Sequence, residues 1–109
     1  MKEYIKCKGE NSNAIQVKFE YELGGYQYTT CKNKPRGYYI SVQPMFITDR
    51  GNGVISYQYT GCTGYYKLLA ECKRRSKSAE DKAMALYKDA KNDIVKRVCE
   101  EQNLILIEV

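Results

Sequence analysis

A run of alternating apolar and polar residues near the N-terminus constrains the fold more than any other feature. Because successive side chains of a β-strand point to opposite faces, a period of two predicts a strand with one buried face. The run therefore predicts a strand over residues 15–23 that buries one face. Its apolar members are Ile15, Val17, Phe19, Tyr21 and Leu23, and its polar members are Gln16, Lys18, Glu20 and Glu22.

Shorter segments around this run predict an antiparallel meander of about five strands. Gly24 and Gly25 supply the positive φ angles of a tight hairpin, and the polar residues 32–37 are typical of a loop. Pro44 has no amide hydrogen, so the strand that contains it is expected to be an edge strand or to carry a bulge there. The predicted strands are residues 4–8, 15–23, 26–31, 38–48 and 54–60.

After Gly64 the apolar residues recur every three or four positions, which predicts helices. Ser78 is a good N-cap for the second of them. Glu80 then lies in the first turn, where the helix dipole favours an acidic residue. One helix over the whole region would be about 57 Å long, too long for so small a domain, so a bend is expected near residues 75–77. The first helix would bury Tyr65, Leu68, Leu69 and Cys72, and the second Ala79, Ala83, Leu86 or Tyr87, Ala90, Ile94 and Val98.

These patterns predict one α+β domain over residues 1–109, with a two-layer arrangement of the meander on the C-terminal helices. With 43% hydrophobic and 28% charged residues, the composition is that of a globular protein. Residues 104–107 are expected to form a buried strand or docked tail. No apolar run suits a membrane span or a signal peptide, so we expect a soluble, cytoplasmic protein. The predicted core is Ile15, Val17, Phe19, Ile40, Val42, Leu68, Leu86 and Val98.

The chain contains no histidine, which removes the common catalytic pairs and most zinc sites. Neither a phosphate loop nor a dinucleotide fingerprint is present. The five cysteines, at positions 7, 31, 62, 72 and 99, are odd in number and form no C-x-x-C pair, so they are expected to be reduced and to pack as small apolar residues. Cys62, between glycines, is the thiol most open to reaction. We therefore expect no catalysis, cofactor or metal.

Two basic runs are the densest like charges in a chain of net charge +5. They sit at the ends of predicted elements, where loops can converge into one positive surface for phosphates or for an acidic protein. Solvated charges at a helix end and in a loop are the alternative interpretation. The predicted partner-binding residues are Lys32, Lys34, Arg36, Lys73, Arg74, Arg75 and Lys77, flanked by Tyr65 or Tyr66.

Several motifs within residues 37–98 carry a resemblance: Gly37-Tyr-Tyr-Ile-Ser-Val, the hairpin after it, Tyr65-Tyr-Lys-Leu-Leu, and a Ser-rich entry into an Ala/Lys/Glu helix. In these the chain resembles small accessory proteins of Firmicutes phages and mobile elements. Some of those proteins are anti-CRISPR inhibitors, which occupy nuclease surfaces or dimerise the nuclease without catalysis. Many inhibitors are acidic DNA mimics, whereas a basic one would contact guide RNA, bound DNA or an acidic face of the nuclease.

Two functions follow as hypotheses. The first is a non-enzymatic module that binds a host protein or nucleoprotein, with a CRISPR nuclease as the partner that the resemblance implies. The second is a basic accessory protein that binds nucleic acid directly, whose affinity would fall steeply with salt. The alanine-rich helix face and the edge strand at Pro44 also favour a homodimer.

Overall fold

In a computed structural model, which describes residues 1–9, 12–22, 35–61 and 64–107, the chain has an α+β fold. The described residues form an antiparallel sheet of six strands and one C-terminal helix. In chain order the elements are β1 (Lys2–Lys8), β2 (Ser12–Glu22), β3 (Gly37–Asp49), β4 (Ile55–Tyr59), β5 (Tyr65–Glu71), α1 (Lys77–Gln102) and β6 (Ile105–Leu106).

The first four strands are consecutive neighbours, as a meander requires, and β6 adds to the outer edge of β1. The partner of β2 is β3, with Phe19 opposite Ile40, rather than the predicted strand over residues 26–31. That predicted strand and its Gly24–Gly25 hairpin lie outside the described residues. On the edge of β3 that faces away from β2, two strands pair with it: β5 with its first half and β4 with its second half.

Pro44 lies where β3 changes partner on that side. Pairing with β5 stops at Val42, and pairing with β4 starts at Met45. The Pro44 carbonyl accepts a hydrogen bond from the Thr60 hydroxyl at 3.5 Å instead of from a strand amide. The missing amide hydrogen therefore falls in a gap of the ladder. The strand is central rather than an edge, but its pairing is interrupted at the predicted residue.

The helix predicted from Tyr65 to Cys72 is wrong, because residues 65–71 form β5. A bulge explains the misleading spacing. Ala70 lies opposite Tyr38 and Leu68 opposite Tyr39, so Leu69 is an extra residue between two ladder pairs. An extra residue breaks the alternation of a strand, and here it produces apolar neighbours at intervals of three and four. Leu69 is buried, whereas Leu68, a predicted core residue, is only half-buried.

The structure has one helix in this region rather than two, and it begins after Ser76 instead of Ser78. Ser76 has an extended backbone, and its hydroxyl oxygen accepts a hydrogen bond from the Ala79 amide at 3.5 Å. This bond satisfies one of the unpaired amides of the first turn. Asn103 ends the helix with a left-handed backbone at φ 57. The predicted stripe is buried at Ala83, Tyr87, Ala90, Ile94 and Val98, but Leu86 is 46% exposed.

Helix α1 packs across one face of the sheet, which we call the covered face. Ile15, Val17, Ile40 and Val42 on this face are fully buried, as predicted, and Phe19 and Val98 are buried with them. The residues after the helix pair with β1 as a strand, yet the predicted burial is wrong there. The side chains of Ile105, Leu106 and Ile107 are 66%, 44% and 46% exposed.

The other face of the sheet, which we call the open face, is concave. Tyr4 in β1 and Tyr57 in β4 stack with ring centroids 3.8 Å apart. In a flat sheet these strands would be about 14 Å apart, at three spacings of about 4.8 Å. The sheet therefore curls enough for side chains of its first and fourth strands to meet. On this face Ala14, Gln16, Tyr39 and Met45 are buried, although no helix of the described residues covers them.

Candidate binding surface at the basic loop

Arg36, the described member of the first predicted basic run, meets the second run at one end of the sheet. Because Gly37 at the start of β3 lies opposite Glu71 at the end of β5, the residues flanking these strands are neighbours. The Cys72 amide donates to the Arg36 carbonyl at 3.0 Å, and the Arg36 guanidinium donates to the Lys73 carbonyl at 3.1 Å. We call Arg36, Lys73, Arg74 and Arg75 the basic loop.

The cations in and beside this loop differ in how they are held. The Arg75 guanidinium lies 5.2 Å from the centre of the Tyr21 ring, a cation–π distance. Lys77 pairs with Asp81 at 3.2 Å, and this hydrogen bond raises the pKa of Lys77. The side chains of Lys73 and Arg74 are exposed and have no acidic partner among the described residues. These two charges are thus presented to solvent, and the carbonyl of Lys73 is held by Arg36.

The remaining predicted cations, Lys32 and Lys34, lie outside the described residues, as does Cys62. Whether they extend the basic loop stays a prediction. Described acids at this end are Glu71, Glu80 and Asp81, together with Glu22 opposite Gly37 and Glu20, which lines a groove with Arg75. Asp81 is paired with Lys77, and Glu20 with Lys18. The described charges at this end are thus of both signs, and Lys73 and Arg74 differ from the others because their exposed cations are paired with none of these carboxylates.

The predicted proximity of Tyr65 and Tyr66 to the basic loop is wrong. Both residues begin β5, and the length of that strand separates them from Lys73 by roughly 20 Å. The Tyr65 hydroxyl instead donates to the carboxylate of Glu101, near the far end of α1, and this bond raises the Tyr65 pKa. Tyr66 stacks on Tyr39 with centroids 4.7 Å apart. Burial and the nearby Glu22 carboxylate raise the pKa of Tyr66.

The aromatic residue at the basic loop is Tyr21, which sequence reasoning assigned to the strand alone. Its ring contacts Tyr38 at 5.2 Å between centroids and also faces Arg75. Tyr21 is the last aromatic residue of the alternating run that precedes the polar loop, and it is half-buried. That position, an aromatic at the end of an amphipathic strand, was the available signal.

Two of the described thiols lie together in the core. Cys7 and Cys99 are buried thiols in contact, and burial raises the pKa of Cys7 to about 12 and the pKa of Cys99 as well. Both thiols therefore stay protonated near neutral pH, whereas the thiolate is the nucleophile. Within residues 1–9, 12–22, 35–61 and 64–107 no three histidine, cysteine, aspartate or glutamate residues are grouped to hold a metal ion.

Comparison of the chain with protein-family models, curated proteins and solved structures finds no match. A search of the described residues for membrane spans finds no helix that combines the necessary length with sufficient apolar character. Within the described residues, Lys73, Arg74 and Arg75 of the basic loop are three consecutive cations on the surface of the molecule.

Proposed function

We propose that this protein is a small non-enzymatic binding protein that occupies an acidic surface of a host protein or nucleoprotein. The observation that most directly supports this proposal is the basic loop. In it the side chains of Lys73 and Arg74 are exposed without an acidic partner among the described residues. The two-layer framework of sheet and helix serves to hold this loop. The resemblance of residues 37–98 to phage accessory proteins makes a CRISPR nuclease the proposed partner.

The backbone of the loop is anchored on both sides, which favours a binding role. Arg36 bonds to the Lys73 carbonyl, and Ser76 caps the helix directly after Arg75. A contact surface that is already ordered loses less conformational entropy when it binds. Arg75 beside Tyr21 adds the residue types that are enriched at the energetic centres of protein interfaces.

Direct binding of nucleic acid is the second candidate function. Exposed arginine and lysine side chains cluster beside the start of α1, and they also suit phosphate groups, which helix N-termini attract. Salt separates the two functions. The affinity for nucleic acid should fall steeply with the logarithm of the salt concentration, whereas an aromatic-anchored protein contact should respond much less.

The test is capture from host lysate, with and without nuclease treatment, by the wild type and two charge-reversal variants. Lys73→Glu with Arg74→Glu should reduce capture at least tenfold, because reversed charges repel an acidic partner. Lys88→Glu with Lys96→Glu changes the net charge equally on exposed helix positions and should capture normally. Capture that survives nuclease treatment supports a protein partner, and capture lost with the nucleic acid supports the second candidate.

Equal capture by both variants, with both folded by circular dichroism, would remove the basic loop from consideration. Capture at the wild-type level by the variant with Lys73→Glu and Arg74→Glu would also remove the basic loop from consideration, whatever the result for the other variant. A purified CRISPR nuclease whose cleavage is unaffected by a molar excess of this protein would contradict that particular partner and leave the binding surface to be matched with another.

We also propose that the protein forms a homodimer, though not through the alanine-rich helix face. Ala83 and Ala90 are buried in the core of the same chain, so this face is already used. The support comes from edge strand β4, where Ile55 and Tyr59 are 47% and 68% exposed. The strand also carries no charge to discourage pairing. Sedimentation at micromolar concentration should show a species of twice 12.6 kDa, and a single species of 12.6 kDa contradicts the dimer.

A further inference from the structure

At the end of the molecule opposite the basic loop, the chain forms a cavity of about 610 Å³. We call it the terminal cavity. It lies where β1 ends, β2 begins, β3 changes partner and α1 terminates. The described residues that line it are Lys8, Gly9, Asn13, Pro44, Phe46, Thr60, Gln102, Asn103, Leu104 and Ile105.

A buried amide forms part of the wall of this cavity. Asn13 is only 7% exposed, and it lines the cavity beside Gly9 and Leu104. Its amide nitrogen and the Leu104 side chain fill the space above Gly9, where the side chain of Leu104 lies 2.8 Å from the position of any added Cβ. The side-chain amide of Asn13 has both a donor and an acceptor, so it can bond to a polar atom of a ligand in the cavity.

The rest of the lining defines what that ligand is. Pro44, Phe46, Leu104 and Ile105 provide apolar walls, and Lys8 carries the one charge on the described lining. No carboxylate of the described residues lines the cavity, so an anion is attracted and a cation repelled. We propose that the terminal cavity binds a free small molecule with an apolar body and a carboxylate or similar anionic group.

The end of helix α1 sets the orientation of such a molecule. Its last carbonyl groups, beside Asn103, carry partial negative charge. The anionic end of the ligand therefore lies toward Lys8, the apolar body lies against Phe46 and Leu104, and the Asn13 amide bonds to a polar atom between them. This site is independent of the proposed partner contact, because the basic loop and the cavity lie at opposite ends of α1. A helix of that length spans roughly 39 Å.

A tryptophan reporter tests the proposal, because the chain has no tryptophan of its own. Phe46→Trp, the cavity reporter, places the only indole in the cavity wall. Leu86→Trp, the surface reporter, places it on the exposed helix surface as a matched control. Decanoate, below its micelle concentration, should change the fluorescence of the cavity reporter saturably and leave the surface reporter unchanged. Decylammonium, with the same chain and opposite charge, should bind at least tenfold more weakly.

Two further variants, each made in the cavity reporter, locate the contacts. Lys8→Gln should abolish the preference for decanoate over decylammonium, and Asn13→Ala should weaken decanoate binding about tenfold. Lys8 is exposed, so its replacement keeps the test valid even if the Asn13 variant fails to fold. Anionic phosphatidylglycerol vesicles should leave the cavity reporter unchanged, since the cavity takes a free molecule rather than a membrane surface.

Several outcomes would overturn the proposal. These are the absence of a saturable change in the cavity reporter, equal affinity for the two amphiphiles, an equal response of the surface reporter, retention of the charge preference by Lys8→Gln, or a response to vesicles alone. None of them bears on capture through the basic loop, so failure of this proposal and of the proposed function can be told apart.

Discussion

The two faces of the sheet are both buried, but by different means. The covered face packs Ile15, Val17 and Ile40 against a separate helix, whereas Tyr39 and Met45 on the curved open face are buried without a helix of the described residues above them. A face that meets a helix needs an apolar surface along its whole length. A face that closes on itself needs it only at the bottom of the curve, and its rim can be aromatic and charged. Burial by curvature therefore leaves a weaker pattern in the sequence.

The largest effect that this comparison predicts is on the covered face. Phe19 packs against Tyr38 and Tyr87, with ring centroids 5.8 and 5.5 Å away, and is 7% exposed. Phe19→Ala should lower the free energy of unfolding by about 3–5 kcal/mol, through lost burial and the cavity left behind. Equilibrium denaturation in urea measures this. A midpoint that hardly moves would mean that this ring does not belong to the core.

A smaller effect is expected from the bond that joins the helix to the first strand. The Glu3 carboxylate accepts a hydrogen bond from the Tyr87 hydroxyl at 3.1 Å and forms an ion pair with the Lys91 ammonium at 2.5 Å. Tyr87→Phe removes one hydrogen bond to a charged group and keeps the ring, so it should cost about 1.5–3 kcal/mol. The control Tyr59→Phe alters a hydroxyl on a largely exposed residue and should be neutral. Equal unfolding midpoints for the two variants would contradict the Glu3 contact.

The stacked pair on the open face should contribute less. A double-mutant cycle on Tyr4→Ala and Tyr57→Ala should give a coupling energy of roughly 0.5–1.5 kcal/mol, as expected for aromatic pairs. This measurement tests the curvature of the sheet directly, because the two strands are not neighbours in its order. Strictly additive single variants would show that the first and fourth strands do not meet.

The smallest effect is expected at the rim of the open face. Lys18 and Glu20 form an ion pair at 2.6 Å, but the Lys18 side chain is 44% exposed. Water and salt weaken such a pair, so Lys18→Gln should change the free energy of unfolding by no more than about 1 kcal/mol. The comparison predicts a rank order of Phe19, Tyr87, the tyrosine pair and Lys18. An ion-pair effect that exceeds the aromatic coupling would reverse the order assigned to the open face.

The fold could be predicted from the sequence wherever one periodicity held without interruption. Strand β2 alternates from Ile15 onward, and α1 keeps its stripe from Ala83 to Val98. The prediction failed at β5 because Leu69 is an extra residue in the ladder, and a bulge imitates helical spacing. The predicted burial at residues 105–107 failed for a different reason, since these apolar residues form and directly follow the short edge strand β6, which the described residues leave exposed.

The candidate site could be predicted only in part. Adjacent charges marked Lys73, Arg74 and Arg75, and strand ends suggested where Arg36 would meet them. The sequence could not show which of these cations contacts another side chain. The contact of Arg75 with Tyr21, for example, depends on the pairing of β2 with β3. The terminal cavity left no local signal at all, since its walls come from both ends of the chain and from the middle.

The partner change at Pro44 divides the sheet into parts that should differ in how often they open. Beyond this residue, among the described elements, β3 holds only β4 on its outer side, and α1 packs mainly against β3 and β5. Amide hydrogens of β4 should therefore exchange with solvent through local opening, whereas those of β2 should exchange only through global unfolding. The hairpin that β3 and β4 form can thus loosen without disturbing the core. It can also accept inserted sequence at its exposed Gly51–Gly53 turn.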